Sequence, residues 1–156
     1  KKEYWVHKAG KQTHRDMLRR DVEEALAACI TPSVEYRVFD LLTLLLAGNR
    51  RRGIAMLQAM LQSGENALGL ASFLEGRVKQ MLSAKLMLAA GMAEPAAIKA
   101  LGGNAYAAKK TVQAARRCEE AWLRRAVRAF AGVDAQVKQG LLRDTDALLL
   151  AVLEVF

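Results

Sequence analysis

Apolar residues recur at helical spacing along most of the chain, and strand-like alternation is nearly absent. The clearest example is the stretch 119–140, EEAWLRRAVRAFAGVDAQVKQG. At about 100° per residue, Leu123, Val127 and Phe130 fall on one narrow stripe, with arginines roughly opposite. The pattern predicts a long amphipathic helix.

Two charged residues interrupt predicted apolar faces. Asp134 lies within the stripe of 119–140, and Lys85 lies on the inner face of a second long predicted helix, 66–90. A charge inside a core needs a partner. We therefore predict a buried ion pair between Lys85 and Asp134. The alternative is that Lys85 runs its methylenes along the surface and keeps its ammonium in water.

Glycine, proline and asparagine divide the rest of the chain into further helices. The predicted helices are 15–29, 34–47, 50–62, 66–90, 94–101, 104–117, 119–140 and 144–156. Thr31-Pro32-Ser33 interrupts the pattern, because proline disfavours helix at the residue before it. We expect a domain boundary at this tripeptide.

Composition supports an all-helical domain. Of 156 residues, 53% are hydrophobic but only 6% aromatic, so alanine and leucine supply the packing. The net charge of +8 is consistent with an anionic partner such as nucleic acid, and it is equally consistent with an ordinary solvated basic surface. No apolar run reaches the roughly 18 residues that span a membrane, and no signal-peptide pattern opens the chain. We expect a cytoplasmic protein with no membrane partner.

Candidate catalytic and metal-binding residues are few. No glycine-rich phosphate loop is present. His7 and His14 have no cysteines or carboxylates at ligand spacing around them. Cys29 and Cys118 are too few for a disulfide framework, which favours free thiols in a reducing compartment. We expect no enzymatic activity, no cofactor and no metal.

Residues 95–117 have the outline of a DNA-binding motif. A short helix, the Gly102-Gly103 turn and a second helix with a basic outer face follow one another. The start of the second helix is mostly alanine, so Lys109 and Lys110 are better placed for phosphates than for base edges. A helix-turn-helix DNA-binding regulator is therefore an alternative function, beside a solvated basic face.

Four stretches resemble one known family. They are VEYRVFDLLTLLLAGNRRRGIAML (34–57), LASFLEGRVKQMLSAKLMLAAGM (70–92), IKALGGNAYAAKKTVQAAR (98–116) and AFAGVDAQVKQG (129–140). In order and spacing, they resemble the C-terminal part of the delta subunit of bacterial DNA polymerase III, the clamp-loader subunit that opens the sliding clamp. The resemblance covers about 34–156.

The resemblance implies an all-α fold, a helical bundle that forms the collar through which clamp-loader subunits associate. It implies that 34–156 is this oligomerisation domain and that 1–31 is the end of an AAA+-like lid domain. The expected function is that of a non-catalytic assembly module in loading the sliding clamp on primed DNA during replication. The implied partners are the tau/gamma and delta prime subunits. The family grips the clamp through an N-terminal domain with no counterpart here.

A collar domain needs surfaces for its neighbours. The segments 34–47 and 144–156 are apolar almost all round, and Phe73, Ala84 and Met87 lie on the outer side of the predicted helix 66–90. The candidate interface residues are Phe39, Leu42, Leu45, Phe73, Met87, Leu149, Val152 and Phe156. The alternative for each is burial within this one domain.

In clamp loaders, primed DNA lies beneath the collar. The resemblance suggests that the loop 138–143, between the last two predicted helices, faces this DNA. Some relatives present an aromatic residue in this loop, where this chain has leucines. Lys138 and Arg143 are candidate phosphate contacts, and Lys109 and Lys110 are further candidates.

Overall fold

Seven α-helices make up the described part of this computed structural model, which covers residues 33–156, and that part holds no strand. They are α1 (Val34–Leu46), α2 (Arg50–Gln62), α3 (Ala67–Ala89), α4 (Glu94–Leu101), α5 (Ala105–Arg117), α6 (Glu120–Lys138) and α7 (Asp144–Val155). The all-α prediction is confirmed. The predicted helix 15–29 and the predicted lid remnant 1–31 lie outside the described residues.

Asparagine side chains and glycine turns mark where these helices begin and end. The side chain of Asn66 accepts a hydrogen bond from the backbone N–H of Gly69 at the start of α3. The side chain of Asn104 accepts in the same way from Tyr106 at the start of α5. Gly140, with a φ of 70°, turns the chain after α6 in the left-handed region that favours glycine. The local sequence therefore sets most helix boundaries.

The helix α3 lies at the centre of the bundle and packs against α1, α4, α5, α6 and α7. Leu74 and Val78 of α3 are fully buried, as are Phe130 of α6 and Leu148 of α7. Burying each large apolar side chain is worth about 1.5–3 kcal/mol before entropy is counted. The core thus joins helices that are far apart in the sequence.

The helices α1 and α2 approach each other closely. Gly53 of α2 faces Leu45 of α1, and a Cβ built at Gly53 would lie 2.5 Å from Leu45 Cδ2. Any larger residue here would therefore force the side chain of Leu45 to shift. Arg37 of α1 forms an ion pair with Glu65, which lies in the segment between α2 and α3. This ion pair links α1 to the chain just before α3.

The predicted buried pair between Lys85 and Asp134 is wrong. The side chain of Asp134 is 54% exposed, and Oδ2 accepts from Lys138 Nζ at 2.7 Å, one turn further along α6. The buried face of α6 consists of Leu123, Ala126, Phe130 and Val133. This face is centred about 40° away from the predicted stripe, which leaves Asp134 at its edge. Lys85 is half-buried on α3.

Candidate subunit interface

Several large apolar side chains of the described residues are exposed. They are Tyr36, Phe73, Leu86, Met92, Tyr106, Leu141, Leu150 and Leu153. Three of them, Phe73, Leu86 and Met92, lie on α3 or directly after it, and Leu141, Leu150 and Leu153 lie on α7 or in the loop before it. Phe73 and Leu86 point about 140° apart around α3, so the exposed apolar side chains of that helix do not form one patch.

Three of the predicted interface residues belong to the core instead. Leu42, Leu45 and Val152 are 5%, 3% and 0% exposed, so they present almost no surface to a partner. Ala84, predicted on the outer side of α3, is also fully buried. The reason is that neighbouring helices cover α1, α3 and α7 on more than one side.

The other predicted interface residues retain some surface. Phe73 is 37% exposed. Phe39, Met87, Leu149 and Phe156 are half-buried, and all but Phe39 pack against the core. Their contact with other subunits stays a prediction.

A groove with a volume of about 730 Å³ runs between α6 and α7. Its lining residues are Arg125, Arg128, Ala129, Gly132 and Gln136 of α6, Leu142 of the loop, and Leu150, Ala151, Leu153 and Glu154 of α7. On α6 the positions 125, 128, 132 and 136 follow one another at helical spacing along one edge. The groove therefore has a polar wall on α6 and a mainly apolar wall on α7.

Two arginines of the α6 wall have no acidic partner within the described residues. Arg124 forms an ion pair with Glu120, with 2.7 Å between Nε and Oε1, but among residues 33–156 neither Arg125 nor Arg128 forms one. Both are exposed. Two guanidinium groups are thus available to an anion that enters the groove.

Gly132 lines this groove and lies in the interior of α6. A Cβ built at Gly132 would meet no atom within 4 Å, so nothing inside the domain requires glycine there. Glycine in a helix interior costs about 0.5–1 kcal/mol relative to alanine. Gly132 was not among the predicted site residues, although a glycine inside a long predicted helix is visible in the sequence.

The α7 wall is fixed near its C-terminal end. Trp122 Nε1 donates a hydrogen bond to the carbonyl of Val155 at 3.0 Å, and its ring lies edge-on to Phe156 with 5.4 Å between centroids. From α2, Arg50 donates to the carbonyl of Leu153 at 2.9 Å. Both bonds satisfy carbonyls of the last turn, which lack a partner within the helix.

The candidate DNA contacts are exposed, and three of the four interact with neighbouring side chains. Lys138 pairs with Asp134, and Arg143 Nε lies 2.9 Å from Oδ2 of Asp146. The candidate pair on α5, Lys109 and Lys110, is exposed as well, and Lys110 Nζ lies 5.5 Å from the ring centroid of Tyr106. These residues keep a high exposed fraction, and their contact with phosphate stays a prediction.

Cys118 follows α5 and is half-buried as a free thiol. Burial raises the pKa of the Cys118 thiol, and the nearby ammonium of Lys85 lowers it by a smaller amount. Among residues 33–156 no group of three or more His, Cys, Asp or Glu side chains could hold a metal ion. Within the same range, every helix is too short or too polar to cross a membrane.

Comparison with solved structures supports the fold. The Bacillus subtilis DNA clamp loader delta protein YqeN superposes with a TM-score of 0.76 at 18% sequence identity. The match covers 85% of this chain and 39% of that one, so this chain spans less than half of that protein. No curated protein sequence matches.

The helix-turn-helix outline of 95–117 does appear as α4, a glycine turn and α5. No comparison supports a helix-turn-helix regulator. Both helices lie within a longer region that matches a different family. Residues 35–155 match the family model of the DNA polymerase III delta subunit, C-terminal domain. Since this match covers most of the chain, as the resemblance implied, the chain belongs to the family of C-terminal domains of DNA polymerase III delta subunits.

Proposed function

We propose that this chain is a non-catalytic assembly module of a DNA polymerase III clamp loader. The observation that carries the proposal is the family match over residues 35–155. Phe73, which is exposed on α3, and Met87, which is half-buried on the same side of that helix, are apolar side chains that a neighbouring protein of the loader would cover.

The proposed partners are the tau/gamma and delta prime subunits. Primed DNA is a partner only within the assembled complex, through Lys138, Arg143, Lys109 and Lys110. The sliding clamp is contacted by a domain outside this chain. The proposed place of action is the cytoplasm, where a replication clamp loader works.

Mixing experiments test the assembly role directly. The purified 156-residue chain is combined with the other loader subunits and separated by size-exclusion chromatography. We expect co-elution, and we expect the double variant Phe73→Ala, Met87→Ala to weaken it by about tenfold or more, because truncating interface anchors costs over 1 kcal/mol.

Tyr106→Ala is the matched control, because it removes an exposed aromatic side chain from α5 rather than from α3. It should co-elute like the unaltered chain. Failure of the unaltered chain to co-elute, combined with sequence-selective binding of duplex DNA by the chain alone, would favour the helix-turn-helix regulator instead.

A further inference from the structure

The groove between α6 and α7 has walls of unlike chemistry. Arg125 and Arg128 line the α6 side, and Leu150 and Leu153 line the α7 side. We propose that this groove binds an amphipathic helix of a partner protein, with carboxylates directed at α6 and apolar side chains directed at α7. The proposal rests on the assembly role, because it assumes that the domain has protein partners.

The dimensions of the groove fit a helix of about three turns. Arg125 and Gln136 stand eleven positions apart on α6, and a rise of 1.5 Å per residue separates them by about 16 Å. A bound helix of this length presents apolar residues at i, i+3 or i+4, and i+7 to one wall. The volume of about 730 Å³ accommodates several such side chains.

Small residues in the lining would let the partner backbone come close. They are Ala129 and Gly132 on α6 and Ala151 on α7, and a Cβ built at Gly132 would meet no atom within 4 Å. Glycine is the residue that permits close approach of another chain. A docked helix therefore explains why α6 keeps a glycine that the domain itself does not need.

Charge decides between an acidic protein segment and nucleic acid. Arg125 and Arg128 have no acidic partner within the described residues, and guanidinium groups bind carboxylates with two parallel hydrogen bonds. A nucleic acid in the groove would bring its phosphates near Glu154 and the exposed leucines of α7. An acidic amphipathic helix can pair its carboxylates with the arginines of α6 and pack its apolar side chains on the leucines of α7. A nucleic acid can make only the first of these contacts.

A pair of synthetic peptides tests the proposal. Each has about 12 residues, a side-chain cross-link that holds it helical, and leucines along one face. One carries glutamates on the flank and the other carries lysines. Fluorescence anisotropy with the 156-residue chain should show at least about tenfold tighter binding of the glutamate peptide, with the difference narrowing as salt rises.

Charge reversal on the α6 wall should remove this preference. Arg128→Glu should abolish the tighter binding of the glutamate peptide. Arg117→Glu is the matched control, because Arg117 is an exposed arginine at the end of α5 that takes no part in the groove. It makes the same change in net charge and should leave peptide binding unaltered.

Filling the groove tests the geometry without disturbing the fold. Gly132→Leu meets no atom near the Cβ, and leucine is the better helix former, so the chain should keep or raise its melting temperature while it loses peptide binding by about tenfold or more. Gly76→Leu on α3 is the control, because that glycine also faces open space but lies outside the groove. It should bind the peptide normally.

Several outcomes would overturn the proposal. Equal binding of the two peptides, or full binding by a folded Gly132→Leu chain, would exclude an acidic helix in the groove. Displacement of the peptide by a single-stranded DNA oligonucleotide would assign the groove to nucleic acid. Self-association that Gly132→Leu abolishes would assign it to a second copy of this chain.

Assembly is measured in parallel so that the two proposals can fail separately. A chain that co-elutes with the loader subunits but binds neither peptide would contradict the groove proposal and leave the assembly role intact. A chain that binds the glutamate peptide but does not co-elute would contradict the assembly role and leave the groove as a site for another protein.

Discussion

Trp122 connects the start of α6 to the end of α7. Its indole N–H donates to the carbonyl of Val155, and its ring packs edge-on against Phe156. Aromatic pairs in this arrangement contribute about 0.5–1.5 kcal/mol beyond the area they bury. One side chain therefore stabilises the junction through a polar and an apolar contact together.

We predict that Trp122→Phe lowers the free energy of unfolding by about 1–2 kcal/mol, because it removes the hydrogen bond and part of the ring contact. Urea denaturation followed by circular dichroism measures the change. Tyr106→Phe is the control, since Tyr106 is 69% exposed, and it should stay within about 0.5 kcal/mol of the unaltered chain. Equal values for both variants would contradict the role given to Trp122.

The thiol of Cys118 should react slowly with alkylating agents. Burial raises its pKa, and the reactive form is the thiolate. At about pH 8, iodoacetamide should modify Cys118 several-fold more slowly in the folded chain than in urea. Mass spectrometry of the peptide that contains Cys118 gives the rate.

Replacing Lys85 measures how much its positive charge contributes to the alkylation rate of Cys118. Lys85→Met removes the cation that lowers the pKa, so the pKa should rise further and alkylation should slow again. Lys79→Met is a suitable control, because Lys79 pairs with Glu75 and has no effect on the pKa of Cys118. A faster reaction in Lys85→Met would contradict this electrostatic explanation.

Asp134 is a surface residue whose ion pair contributes little. Exposed pairs one helical turn apart are worth about 0.3–0.5 kcal/mol. Asp134→Asn should therefore destabilise the chain by less than about 1 kcal/mol. A double-mutant cycle with Lys85→Met should give no coupling energy between the two positions, and a coupling of several kcal/mol would restore the buried pair.

At the scale of single helices, interior glycines differ in what surrounds them. Gly53 of α2 faces Leu45 at a distance too short for a Cβ, whereas Gly76 of α3 faces open space. The same substitution therefore has opposite consequences in two helices. This difference depends on the neighbouring helix and not on the sequence around each glycine.

We predict that Gly76→Ala raises the free energy of unfolding by about 0.5–1 kcal/mol, because alanine is the better helix former. Gly53→Ala should lower it by about 1–3 kcal/mol, because Leu45 is buried and must shift. Chemical denaturation of the two variants compares them under identical conditions. A stabilising effect of Gly53→Ala would show that α1 and α2 separate at little cost.

The sequence predicted where helices begin and end better than which side faces inward. Asn66 and Asn104 cap helices as side chains of this type do in isolation, so their role is local. The inner face of α6 depends on where α3 and α7 lie, and a shift of about 40° moves Asp134 out of the core. Val127 lies on the predicted stripe and Ala126 on the observed buried face, and both are apolar. The apolar pattern therefore could not distinguish the two orientations of α6.

At the scale of the whole molecule, the family was predictable but the surface was not. The order of the stretches between 34 and 140 was enough to indicate a clamp-loader delta domain. Burial of Leu42 and Val152 depends on contacts between helices that are distant in the chain, so the apolar pattern alone could not separate core from interface. The groove combines residues from α6 and α7, and no stretch of sequence contains it.

We predict that residues 34–156 fold without the preceding segment. The buried core extends from Val38 to Val155, and these residues form one compact unit. A chain that starts at Val34 should keep its helical circular dichroism and unfold in a single cooperative transition. Thermal denaturation of the shortened and full chains provides the comparison, and a broad, non-cooperative transition would contradict independent folding.

The two hydrogen bonds on the last turn of α7 have a consequence for any molecule that docks beside it. Helix ends commonly fray, but here Arg50 and Trp122 hold the carbonyls of Leu153 and Val155. The last turn of α7 is thus held by side chains from α2 and α6 before any partner arrives. The conformational entropy lost on association then comes mainly from the incoming segment. A partner that is tethered or already helical loses the least entropy and therefore binds most tightly.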